Sequence, residues 1–575
     1  MPSVAEATIA ALAQAGVKRI YGVVGDSLNA ITDAVRRSGK IQWIQVRHEE
    51  TGAFAAGAEA QLTGNLCACA GSCGPGNLHL INGLYDANGS GAPVLAIAAH
   101  IPTGEIGTNY FQETHPDRVF VDCSQYCELI STPNQVPRTV QIAMQTAMSK
   151  GGVSVIILPG DVAMEPAPKS TFHRNVATNR YKVRPCDRDL DELAEILNLN
   201  RSITLLCGIG CAGAHDQVIK LADILQAPIV YSLRGKEHLE YDNPNNAGMT
   251  GLIGHASGYL AMETCDVLLM LGTDFPYDNF YPNKAKIVQI DIRPEHLGRR
   301  CALDLGIVGD VKEAIEALLP KLRPNSDHGH LQFAVRHYEE TLKKMKGKLK
   351  SAEHHKPIHP EYAAGLVDEV AAKDAIFTAD TGMCTVWAAR YLTMTKGRRL
   401  IGSFRHGSMA NALPQATGAQ LSHPERQVVA LSGDGGLGML MGDLLTLVQY
   451  QLPIKIVLFN NSTLGMVKLE MMAEGFPDYG TDFKHFDFAK IAEAFGIKGI
   501  RVEEPEELRG SLHRAFVQDG PALVDVVTNP YEISIPPKLT KKQTLGFSLF
   551  LLKETLDGNM NEVEELIANN IHPSG

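Results

Sequence analysis

Short, largely apolar runs of about four to seven residues recur along this chain, several of them followed within two residues by glycine, with longer helical stretches between them. Runs that do not alternate suit strands covered on both faces, and the stretches between them suit the crossovers that parallel strands require. The pattern predicts an α/β chain of doubly wound parallel sheets. In a first series the strand candidates are Ile20–Val24, Leu66–Ala70, Val94–Ala98 and Val153–Leu158, with a helix over Glu49–Leu62. A second holds Ile203–Leu206, Pro228–Tyr231, Val267–Leu271 and Ile287–Ile290, and a third Ala375–Thr378, Val428–Leu431, Ile454–Phe459 and Ala522–Val526. Polar, Pro-containing stretches separate the series, the second of them including a Lys-rich helical segment over 343–350. The expected organisation is three domains at 1–165, 186–323 and 358–530, a linker at 324–357 and a C-terminal extension at 531–575.

The length of 575 residues leaves room for three to five cores at roughly 100–200 residues each. A net charge of -11, from 64 acidic against 53 basic residues without a long like-charged block, excludes a reader of nucleic-acid backbone. The apolar runs fall short of the roughly 18–20 residues that span a bilayer. Residues 1–15 carry Glu6 and lack the basic-then-apolar order of a signal peptide, so a cytoplasmic location is expected. Eleven cysteines suit free thiols in a reducing compartment; Cys67, Cys69 and Cys73 read as small packing residues beside glycines rather than metal ligands.

The segment Ser432-Gly433-Asp434-Gly435-Gly436 closes one apolar strand, and Asn460-Asn461 closes the next. Parallel strands bring both ends to one edge, where ligands bind; the glycines expose amides to a phosphate, while a carboxylate and an amide oxygen suit Mg²⁺. Ordinary Asp-Gly and Asn-Asn turns explain the same residues. Arg47-His48-Glu49-Glu50 opens an apolar helix, where a glutamate serves either a proton relay or the positive end of the helix. Gly71-Ser72-Cys73-Gly74-Pro75-Gly76-Asn77 is a further glycine-rich strand-to-helix loop. Gly208-Ile209-Gly210-Cys211-Ala212-Gly213 matches G-x-G-x-x-G but lacks the acidic residue expected about 20 positions later, which weakens a classical NAD reading. The loops Gly251–Gly254 and Gly272–Pro276 and the strand-terminal Asp291 remain compatible with a nucleotide.

Together with Phe111-Gln112-Glu113-Thr114-His115-Pro116 and His406-Gly407-Ser408-Met409-Ala410-Asn411, these motifs make the chain resemble the thiamine-diphosphate-dependent 2-keto-acid decarboxylase family over nearly its whole length. Within it the chain is most similar to the quinone-reducing pyruvate dehydrogenase (pyruvate oxidase) branch. The resemblance implies pyrimidine-binding, central FAD-binding and diphosphate-binding domains in chain order. It implies thiamine diphosphate and Mg²⁺, the metal held by Asp434, Asn461 and the Thr463 carbonyl, with Gly435, Gly436, Leu464, Gly465 and Met466 lining the cofactor. Glu49 corresponds to the glutamate that activates the aminopyrimidine, Met409 to the wedge under the bent cofactor, and Gly407 and Ser408 to its neighbours. Phe111, Gln112 and Thr381 are implied nearest pyruvate. Gly251, Leu252, Ile253 and Gly254, then Asp274, Phe275, Pro276, Tyr277 and Asp278, then Asp291, correspond to FAD contacts.

The implied reaction is oxidative decarboxylation of pyruvate to acetate and CO₂, with electrons passing through FAD to ubiquinone or menaquinone. Acetolactate synthase and a phosphate-dependent pyruvate oxidase are the alternatives. A homotetramer, at least a homodimer, is implied, since the family's site lies between subunits. The apolar segment Leu545–Leu552 and the helically spaced Val563, Leu566 and Ile567 leave open both peripheral contact with the inner face of the cell membrane and docking on the protein's own surface.

Overall fold

The computed structural model describes residues 1–168, 182–532 and 549–550. Its architecture is three parallel six-stranded sheets flanked by helices, in agreement with the expected fold class. The strands are, in the first sheet, β1 (Arg19–Gly22), β2 (Gln42–Gln45), β3 (Cys67–Gly71), β4 (Val94–His100), β5 (Tyr126–Leu129) and β6 (Val153–Pro159). The second contains β7 (Ile203–Cys207), β8 (Ile229–Tyr231), β9 (Asn246–Met249), β10 (Val267–Leu271), β11 (Lys286–Asp291) and β12 (Leu305–Val308). The third contains β13 (Ile376–Ala379), β14 (Arg399–Gly402), β15 (Val428–Gly433), β16 (Lys455–Asn460), β17 (Lys498–Val502) and β18 (Ala522–Val527).

The first and third sheets share one topology, β2-β1-β3-β4-β6-β5 and β14-β13-β15-β16-β18-β17. Strand order reverses between β1 and β3 in one and between β13 and β15 in the other, and the loops beyond those strands open the crevice where α/β proteins take ligands. The middle sheet runs β12-β11-β10-β7-β8-β9, which is the dinucleotide-binding order with its switch point between β7 and β10. The twelve strands expected from the sequence are all interior strands of these sheets; β2, β5, β9, β12, β14 and β17, which escaped the apolar-run criterion, are the edges.

Aliphatic side chains fill both faces of each sheet, and separate core clusters lie under the helices. The helix Gly329–Ser351 occupies most of the second linker, with few buried positions; one of them, Tyr338, packs over Gly248 of β9. The first and third units meet through the helices Glu49–Thr63 and Ala412–Ser422. Gly418 makes that approach possible: a Cβ there would stand 2.1 Å from the Ala55 carbonyl oxygen. Gly418→Ala is therefore expected to force the helices apart and to destabilise by about 1–3 kcal/mol, read as a lower denaturant midpoint.

Cys67 and Cys69 are buried as free thiols in the first core, as their packing role requires. Among the described residues no helix is long and apolar enough to cross a membrane. The tail residues 545–548, 551–552, Val563, Leu566 and Ile567 lie outside the described residues; Leu549 is half-exposed and Phe550 buried.

Candidate functional site

Two loops at the switch point of the third sheet are stitched together by one carboxylate. Asp434, the first residue beyond β15, is only 7% exposed. Its Oδ1 accepts from the Gly435 amide at 2.9 Å and its Oδ2 from the Ser462 amide at 2.6 Å. Ser462 follows Asn461 with φ of +55°, a left-handed turn that points its amide back at the aspartate. Asn461 Oδ1 accepts from the Thr463 amide at 3.2 Å, and the Thr463 hydroxyl is buried without a hydrogen-bond partner among the described residues. Burial pushes the Asp434 carboxyl up to about 6, against the hydrogen bonds that favour its charged form. A cation at this edge would reverse that cost. The clustered carboxylate, amide and loop carbonyl oxygens are the donor set of a hard divalent ion, so the residues fit Mg²⁺.

Around this edge glycines let neighbouring side chains approach closely, most of all at Gly436. A Cβ on Gly435 would meet Leu464, Phe483 and the Met409 methyl at 3.0–3.3 Å, so Gly435, Leu464 and Met409 lie together. A Cβ on Gly436 would fall 1.8 Å from Asp380 Oδ2. Gly465 stands against the Asn461 side-chain amide, and Met466, partly buried, packs against the edge of the third unit's apolar core. Gly407 has φ of +77°, and the Ser408 hydroxyl accepts from Asn82 of the first unit at 2.8 Å. Thr381 donates its amide to Asn411 at 3.3 Å.

Asp380, which the sequence reading passed over in favour of its neighbour Thr381, is the buried anchor of this edge. It is 1% exposed, and the Asn411 amide donates to its Oδ1 at 3.1 Å, joining the 407–411 loop to the Gly436 turn. Its position just beyond β13 repeats that of Asp434 beyond β15. Burial, opposed by backbone amides of Thr381, Ala410, Asn411 and Ala412, pushes its carboxyl up to about 7 from 3.8. The folded form thus retains a proton that the unfolded chain has lost, so the contribution to stability is full below about pH 4 and disappears as pH rises to about 7. Asp380→Asn should remove that component: the stability difference between variant and parent should change between pH 4 and 7, by at most roughly 1.4 kcal/mol per pH unit, and stay constant above. Denaturant melts at several pH values measure it.

A second group forms at the switch point of the first sheet. Glu49 opens the helix Glu49–Thr63, yet it is buried, contrary to a solvent-facing helix start. Its Oε2 lies 2.9 Å from His79 Nδ1, and its Oε1 lies where a Cβ on Gly76 would come within 3.0 Å. The His79 ring stacks on His48 at 4.2 Å between centroids. His79 was missed because its partner lies 30 residues away in a different helix. Gln112, with φ of +62°, packs on Gly74 and accepts from the Cys73 thiol at 3.4 Å, so it joins the same glycine loop as Glu49. Phe111 beside it is 78% exposed.

The third group edges the middle sheet. The G-x-G-x-x-G glycines serve close packing between loops, since a Cβ on Gly210 would stand 2.6 Å from Gly272 Cα at the switch point. Gly251, with φ of +106°, packs on Phe275 and Tyr277, so the 251–254 and 274–278 loops are adjacent. Leu252 packs on the apolar cluster beneath, and the Ile253 and Gly254 carbonyls accept from Arg390 of the third unit. Pro276 and Asp278 are exposed. Asp291 closes β11, buried, and accepts from the Arg293 amide at 2.9 Å. Asp274 sits among arginines: Arg299 at 3.1 Å, Arg300 at 3.0 Å and Arg405 of the third unit at 3.9 Å. Arg234, half-buried and near Arg405, is lowered to about 10 by desolvation, then by Arg405, against the opposing charges of Asp86 and Glu237. Such an excess of cations beside glycine loops in the dinucleotide-binding order fits an anionic nucleotide such as FAD. No local sequence signal announces it, because the arginines come from distant segments.

Family models match the chain in three consecutive blocks: "Thiamine pyrophosphate enzyme, N-terminal TPP binding domain" over residues 2–119, the central domain over 190–318, and the "C-terminal TPP binding domain" over 380–526. The "Putative thiamine pyrophosphate-containing protein YdaP" of Bacillus subtilis is 36% identical over 556 residues, 96% of each chain. Pyruvate oxidase of Lactiplantibacillus plantarum is 31% identical over 91% of this chain and 88% of its own. Acetolactate synthase of Mycobacterium bovis is 30% identical over 91% of this chain and 87% of its own. With all three blocks present in order, one on each of the three sheets, the chain belongs to the thiamine pyrophosphate enzyme family.

Proposed function

We propose that this enzyme oxidatively decarboxylates pyruvate to acetate and CO₂, with one water supplying the added acetate oxygen, and delivers the electron pair through FAD to ubiquinone or menaquinone. Thiamine diphosphate, when bound, supplies the electron sink for loss of CO₂, and FAD the acceptor that a quinone reoxidises. Glu49 would hold and move a proton at its carboxylate, with His79 fixing the orientation of Oε2. Asp434, Asn461 and the Thr463 carbonyl would hold Mg²⁺ against the diphosphate, whose oxygens the Gly435 and Gly436 amides would receive. Met409 and Leu464, packed around Gly435, would shape the apolar wall under the cofactor, with Gly407, Ser408, Gly465 and Met466 bordering it. Gln112 and Thr381 would orient the substrate's carboxylate and carbonyl, and Phe111 would exclude water once covered. Gly251–Gly254, Asp274–Asp278 and Asp291 would hold FAD.

The observation that carries the redox reading is the arginine-rich switch point of a middle sheet in dinucleotide-binding order. A homotetramer, at minimum a homodimer, completes the site. In support, the polar partners of Glu49 lie in the first unit and those of Asp434 in the third, and exposed Phe111, beside Gln112, and Phe483, against Gly435, border the two groups. Peripheral membrane contact through the extension at 531–575 accords with a lipid-soluble acceptor. Acetolactate synthesis is the second reading, favoured by the comparable identity to a synthase. Products of the thiamine diphosphate-, Mg²⁺- and FAD-loaded enzyme with pyruvate and a short-chain quinone decide between them: acetate and quinol for the proposal, acetolactate for the synthase, acetyl phosphate and hydrogen peroxide for a phosphate-dependent oxidase.

A further inference from the structure

Away from these loops, two buried carboxylates share one ammonium, and burial and the neighbouring Glu532 carboxylate push the Glu361 carboxyl up to about 8. Glu361, in the first turn of the helix Pro360–Val370, is 2% exposed; Glu532, just beyond the third sheet, is 4% exposed. Lys348 of the linker helix Gly329–Ser351 bridges one oxygen of each, at 2.9 Å from Glu361 Oε1 and 3.1 Å from Glu532 Oε1. One ammonium therefore faces two carboxylates. The other oxygens face different neighbours: Glu361 Oε2 is buried with no hydrogen-bond partner among the described residues, and Glu532 Oε2 is in contact with His359 Nδ1. Ligand atoms of His359, Glu361 and Glu532 all lie within 4.8 Å of one another. The other ring nitrogen of His359, Nε2, is 2.8 Å from His355 Nδ1, a partner able to fix the ring with Nδ1 turned to the carboxylates.

We propose that His359, Glu361 and Glu532 form a binding site for a borderline divalent cation of the Zn²⁺ class, separate from the Asp434 edge. One imidazole nitrogen and two carboxylate oxygens are a donor set such ions take, and water completes the shell. The two carboxylates balance the ion's charge when Lys348, whose side chain is 36% exposed, swings outward; with Lys348 in place the cluster would carry one excess positive charge. The ion would clasp the segment leaving the third sheet to the start of that unit, beside the linker helix. It would thus be structural, closing a loop of more than 170 residues between Glu361 and Glu532.

The test uses the full-length protein, stripped with chelator, dialysed and titrated with ZnCl₂ by calorimetry, with bound metal counted by elemental analysis. Asp434→Ala serves as the background that removes the other proposed metal edge. Expected are one Zn²⁺ per chain retained in that background, an affinity loss of at least tenfold in Glu361→Gln, and tighter binding in Lys348→Met, with far-UV circular dichroism unchanged. A fingerprint of nitrogen and oxygen ligands in X-ray absorption should accompany the bound ion. No stoichiometric Zn²⁺ in the Asp434→Ala background, or binding indifferent to Glu361→Gln, overturns the site and leaves a proton as the only occupant of the carboxylate pair. Should Glu361→Gln not fold, His359→Gln is read in the same way.

Discussion

Glu49→Gln should leave the fold intact while decarboxylation falls by about 10²–10⁴-fold, the range by which a positioned acid–base group accelerates proton transfer. The substitution keeps the shape of a side chain that is buried at the start of its helix, so packing against Gly76 is preserved. It removes the ability to take a proton and weakens a charge-assisted contact with His79 at 2.9 Å. The measurement is CO₂ release at saturating thiamine diphosphate, beside a thermal melt. An unchanged rate in a folded variant would remove Glu49 from the proposed chemistry. His79→Gln separates the two parts of the argument, since a residue that orients Glu49 should cost less than Glu49 itself.

Asp434→Ala should weaken Mg²⁺-dependent binding of thiamine diphosphate by about 100-fold or more, roughly 3 kcal/mol. Two losses combine in that figure. The carboxylate oxygen offered to the ion disappears, and the Ser462 amide loses the acceptor that ties the Asn461 loop to the Gly435 turn. Calorimetric titration with and without Mg²⁺ measures both; Asp434→Asn, which retains one acceptor oxygen, should recover loop order more than metal affinity. Equal affinities in parent and Asp434→Ala would place the ion elsewhere.

The interior of the fold was legible because interior strands are covered on both faces and paired on both edges. Val267–Leu271 of β10 is wholly buried and wholly apolar, and its apolar run marks it without context. The edges were not legible for the converse reason. β2 reads Gln-Trp-Ile-Gln, since a strand with one neighbour and one wet edge tolerates polar residues, and β12, Leu-Gly-Ile-Val, is short, interrupted by glycine and alternates in exposure. At the candidate site, Asp434 and Asn461 stood out because each ends a legible strand. Asp380 ends one too, but an acid followed by threonine and glycine reads as a turn until the 407–411 loop is folded over it. His79 and the arginines around Asp274 depend on contacts between elements, which spacing along the chain does not encode.

The redox claim is tested most directly by an anaerobic absorbance scan of the enzyme loaded with thiamine diphosphate, Mg²⁺ and FAD. Pyruvate should bleach the flavin band, and a short-chain ubiquinone should restore it as one acetate appears per electron pair. A flavin band that stays oxidised while pyruvate is consumed and acetolactate accumulates would contradict the account and assign the same fold to the synthase reaction.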